Sequence, residues 1–86
     1  EKAIIYENLG NIAEHNNHFK KAFKYYDTLM DISRRIYYIN GIKAALSSRA
    51  DIYRKLGQPD KALQLLSAAE KYTTENPFNH ISSRND

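Results

Sequence analysis

Two halves of this 86-residue chain match each other in a single register. Gly10 stands over Ala50, Ala13 over Tyr53, Asn17 over Gly57, Ala22 over Ala62, Tyr26 over Leu66 and Leu29 over Ala69, every pair 40 residues apart. A constant offset held through these positions marks a supersecondary unit built twice. Units of this length cannot bury an apolar face alone and do so by stacking. The chain is therefore confined to a short array in which each unit packs on its neighbour.

The unit is spelled most clearly from Tyr53 to Ala69, YRKLGQPDKALQLLSAA. Tyr53 and Leu56 close one apolar stripe, Gly57 supplies the left-handed conformation that ends a helix, and Pro59 suits the first helical position, where its missing N–H costs nothing. Ala62, Leu65, Leu66 and Ala69 open the next stripe at helical spacing. From the N-terminus, Ile5, Tyr6, Leu9, Ile12 and Ala13 predict a first helix from Ala3 to about Asn16, with Asn17 in the left-handed role. Phe19, Ala22, Phe23, Tyr26, Leu29, Met30, Ile36 and Tyr37 predict a second of about twenty residues, and Asn40-Gly41 predicts the turn that follows. A third stripe uses Ile42, Ala45, Leu46, Ala50, Tyr53 and Leu56; a fourth runs from Ala62 to Tyr72 and is stopped by Pro77. No β alternation bounded by hairpin turns occurs. The expectation is an all-α fold: two antiparallel helix-turn-helix hairpins stacked as an α-solenoid fragment. One unit covers residues 2–38 and the next 40–76, with 77–86 a polar tail or the start of a further helix.

Composition narrows the function classes. An apolar content of 42% over 86 residues makes a core that is only marginally self-sufficient. With no cysteine there are no disulfides and no thiolate chemistry. The net charge of +3 comes from Lys and Arg spread over all four helices, so a solvated surface explains it and no nucleic-acid partner is expected. No apolar run approaches the ~20 residues that span a bilayer, and this segment is expected to make no membrane contact. A start at Glu1 and an end at Asn85 and Asp86 suggest a piece of something longer. Its compartment is open: a cytoplasmic place is favoured, and a periplasmic one is an alternative if the parent protein carries a signal or membrane segment.

At this point the chain resembles the tetratricopeptide repeat family. Tyr6, Leu9, Gly10, Ala13, Ala22, Tyr26 and Leu29 follow that family's W-x2-L-G-x2-Y and A-x3-F spacing, with Tyr for Trp, Ala for Tyr and Tyr for Phe. The second unit keeps Leu46, Tyr53, Gly57, Ala62 and Leu66 but has Arg49 and Ala50 where Leu-Gly is usual. The common period is about 34 residues, so an offset of 40 looks like the longer variant of kinesin light chains and of bacterial peptide-sensing and regulatory proteins. The resemblance implies a scaffold that binds a protein or peptide, without catalysis or cofactor. In the family the first helix of each repeat lines a concave groove. Carried onto this chain, the groove positions are Glu7, Asn8, Asn11, Glu14 and His15, then Ser47, Ser48, Asp51, Arg54 and Lys55. Glu7 stands where the family's chaperone-tail clamp needs Lys, so that ligand is not expected.

The remaining candidates read as structural. His15 and His18 straddle a predicted turn without a third strong ligand nearby, so no metal site is expected. Scattered Ser and His lack a nucleophile elbow or anion loop, and no active site is expected. Tyr26 and Tyr37 fall on the core stripe, Tyr25 and Tyr38 beside it, and Lys20, Lys21 and Lys24 on a solvated convex face. The reading is an interaction module in a larger regulatory protein that binds an extended peptide in the groove. The alternative is a structural or self-associating segment, since Leu63, Leu65, Leu66 and Ala69 cannot all face one hairpin partner. Residues 77–83 are the intrachain candidate to cap that face.

Overall fold

Four helices and three turns account for residues 2–74, the part of the chain that the computed structural model describes. They are α1 (Lys2–His15), α2 (Phe19–Arg35), α3 (Ile39–Lys55) and α4 (Pro59–Thr74). α1 packs on α2 and α3 on α4 as hairpins, α2 lies against α3 to join the two, and α1 also reaches α3. This is the all-α stack that the internal repeat predicts. The expected stop at Pro77 and the tail at 77–86 lie outside the described residues. Among those described, no helix is long and apolar enough to cross a membrane.

All three turns are built alike. The carbonyls of Ala13, Ser33 and Tyr53 accept the N–H groups of His18, Tyr38 and Gln58, each at 2.8 Å. Just before each donor, Asn17, Tyr37 and Gly57 take positive φ values of 64°, 57° and 77°. This is the Schellman ending, which satisfies carbonyls that a helix terminus leaves open. Asn17 and Gly57 take the predicted role, and Pro59 opens α4 as predicted.

The middle turn differs from its expectation. It falls at Ile36–Tyr38, α2 has 17 residues, and Asn40 and Gly41 lie in the first turn of α3. Tyr38 packs against the core, which draws its amide over the Ser33 carbonyl and forces Tyr37 left-handed. For a non-glycine residue that conformation costs about 1–2 kcal/mol, offset here by burial of the neighbouring ring. Gly41 serves a different purpose from a turn. A Cβ there would collide with Ser33 Oγ and sit 2.6 Å from the Tyr38 ring, so the glycine lets α3 begin directly on the end of α2. Ser33 is fully buried beneath it.

The main core gathers Ala3, Ala13, Ala22, Tyr26, Leu29, Ala45 and Ile52 from α1, α2 and α3. Burying a side chain such as Leu29 contributes about 1.5–3 kcal/mol. A second cluster joins Ile42 and Leu46 of α3 to Ala69 of α4, with Met30 of α2 packed against it. Several stripe residues expected inside are instead exposed: Ile5, Ile12, Ile36, Tyr37, Leu56 and Leu66. The apolar arcs are wider than one hairpin contact, so part of each faces along the stack. That part is covered where another hairpin adjoins, as α2 covers Ile52 of α3.

Candidate functional site

α1 and α3, the first helices of the two hairpins, run side by side and bring their last turns together. Asn11, Glu14 and His15 of α1, with Ser47, Ser48, Asp51 and Lys55 of α3, line an open depression of about 360 Å³. Seven of the ten expected groove residues thus meet in one place. The other three do not line it: Glu7 is half-buried, Asn8 is exposed, and Arg54, also exposed, pairs with Asp51 along α3 at 3.1 Å.

Glu14 is the chemical centre of this face. It was expected as a groove residue, and only 8% of it is accessible, because α3 and the Tyr26 ring close over it. Its Oε1 lies 2.9 Å from the Tyr26 hydroxyl and its Oε2 3.1 Å from Lys55 Nζ. The Tyr26 hydroxyl is also 2.7 Å from Asn11 Oδ1. A phenol has one proton, and an ionised carboxylate only accepts. The proton therefore goes to Glu14, and Asn11 completes the set by turning its NH2 to the phenol oxygen, the other orientation open to a terminal amide. Lys55 further reaches Asp51 Oδ2 at 3.5 Å. Three helices are tied in one chain of polar contacts.

Its electrostatics follow from burial and shared protons. Burial, then the hydrogen bond with Asp51, raises the Glu14 carboxyl above the usual range, against the pull of Tyr26 and Lys55. Asp51 is lowered, first by the Glu14 hydrogen bond and then by the charge of Lys55. As the pH falls, the pair therefore takes up its first proton on Glu14, before Asp51. Burial, followed by the bond to Glu14, pushes the Tyr26 hydroxyl well up, so it remains a donor. Contact with Glu14 raises the Lys55 ammonium, which stays charged.

Tyr26 was read as plain core, and its hydroxyl role was missed. The signal was present: Tyr occupies a position where the repeat pattern has Phe. Gly10 seats the ring, since a Cβ there would come within 2.7 Å of its Cδ1. His15 lines the depression, and among the described residues no three His, Asp or Glu side chains are grouped to hold a metal ion.

Stacked helical hairpins with an open polar groove along their first helices define the α-solenoid scaffolds, in which surface for partners is made by repetition. The family model described as tetratricopeptide repeat matches residues 1–74, and the chain belongs to that family. No curated protein and no solved structure is similar enough to match it. As tetratricopeptide repeats, the two hairpins form a non-catalytic scaffold of the protein–protein interaction type.

Proposed function

We propose that the chain is a peptide-binding module whose depression between α1 and α3 receives an extended segment of a partner protein. The observation that supports this is the convergence of Asn11, Glu14, Ser47, Ser48 and Asp51 around one opening. Amide and hydroxyl groups both donate and accept, as a peptide backbone requires. Lys55 is the movable part. Its ammonium faces Glu14 and Asp51 at once, and a Lys or Arg side chain of the bound segment can take its place against these carboxylates. Charge then sets the direction of the segment more than its affinity. Two repeats offer limited area, so binding is expected in the micromolar range, about −8 kcal/mol. A place within a larger regulatory protein accords with this role.

The test is selection of peptides from a random displayed library on the 86-residue chain, followed by titration calorimetry on variants. Asp51→Ala and Ser47→Ala, both at residues that line the depression, should each weaken binding several-fold while helicity by circular dichroism stays unchanged. Wild-type affinity in both variants and in Asn11→Ala would place the binding surface elsewhere. A second reading, association of the chain with itself through its ends, is favoured by the exposure of Ile5, Ile12, Leu63 and Leu66.

A further inference from the structure

The apolar residues exposed at the two ends are not scattered. Each stands 40 residues from a residue that is covered at the junction between the hairpins. On the N-terminal face, Ile12 is 58% exposed and its counterpart Ile52 0%; Ile5 is 54% exposed and its counterpart Ala45 0%. On the C-terminal face, Leu66 is 39% exposed and Tyr26 0%. Leu63 is likewise exposed where Phe23 is half-buried. The end of α4 is therefore a copy of the α2 side of the junction, and α1 is a copy of its α3 side.

The two copies also fit each other in size and charge. Leu66 is smaller than Tyr26, whereas Ile5 is larger than Ala45, so volume lost on one side is offset on the other. Inside the molecule, Arg49 and Asp27 bridge the junction at 3.5 Å. Their counterparts, Leu9 and Ser67, are both uncharged, which leaves no charge without its partner. Met30 packs against the slot between α3 and α4. The matching slot between α1 and α2 is an apolar depression of about 530 Å³ with Lys2 and Arg35 among its lining residues.

From this we infer that a second copy of the chain docks head to tail, its α1 on the α4 face of the first, in the geometry by which α3 sits on α2. The inference rests on the self-association reading and specifies its arrangement. Such a contact is heterologous, so both ends remain open and assembly continues past the dimer.

Sedimentation equilibrium of the 86-residue chain from micromolar to millimolar concentration tests it, with Ile12→Glu and Leu66→Glu as variants at exposed sites and circular dichroism as the check on folding. The wild-type mass should climb beyond the dimer without a plateau, and each variant alone should be monomeric. An equimolar mixture should stop at a one-to-one dimer, because only the intact α1 face of Leu66→Glu meets the intact α4 face of Ile12→Glu. A wild-type monomer throughout would sink both this arrangement and self-association itself, and would give the α4 face to another occupant such as residues 77–83. Association of the wild type with no dimer in the mixture, or with either variant assembling normally, would overturn the head-to-tail arrangement alone.

Discussion

Glu14 shows how one side chain can change character without a change in its sequence neighbours. It lies in the last turn of α1, between Ala13 and His15, where a carboxylate reads as solvated. Covered by α3, it binds its proton in the folded chain at a pH where the unfolded chain, at the ordinary value of 4.5, has already released it. Folding therefore gains stability from Glu14 as the pH falls from neutral through the raised value, and that gain is complete below 4.5. Asp51 acts in the opposite sense at lower pH: its contribution is present above its ordinary 3.8 and is lost as the pH falls through its lowered folded value. Glu14→Gln removes the first dependence. Urea midpoints measured from pH 7 down to about 4.5 should move in favour of the wild type relative to the variant as the pH drops. A constant gap across that window would mean that the carboxyl is not raised.

At the scale of the element, the hairpin depends on a small residue where its helices cross. Ala22 and Ala62 occupy equivalent positions and are both buried. Ala62→Leu should overpack the α3–α4 crossing and destabilise the chain by about 1–3 kcal/mol, read as a lowered midpoint in urea. An unchanged midpoint would place the close approach elsewhere. The turns separate what was legible from what was not. Asn17 and Gly57 announce themselves because they are the residue types that tolerate a positive φ. Tyr37 does not, because its conformation is imposed by the burial of Tyr38 and the contact between Gly41 and Ser33.

The whole molecule is held by the junction of α2 with α3. Ile52 belongs to the second hairpin yet is fully buried in the cluster formed mainly by the first. Ile52→Ala should cost about 2–5 kcal/mol. Because each hairpin draws its stability from the interface with its neighbour and does not stand alone, melting followed by circular dichroism should keep a single transition at lower temperature. Two resolved transitions would mean that the hairpins fold independently.

The sequence by itself determined the helical content, the repeat, the hairpin pairing and the first and third turns. These depend on spacing at three and four residues and on the conformational range of Asn, Gly and Pro, all of them local properties. Tertiary structure alone decided which apolar stripes are covered. Ile12 and Ile52 share a register and a side chain, yet one is exposed and the other buried. The difference is that α2 precedes α3, while among the described residues no helix precedes α1. It also decided that Tyr26, Glu14 and Lys55, far apart along the chain, form one polar contact, because no local pattern records which helix will lie across which.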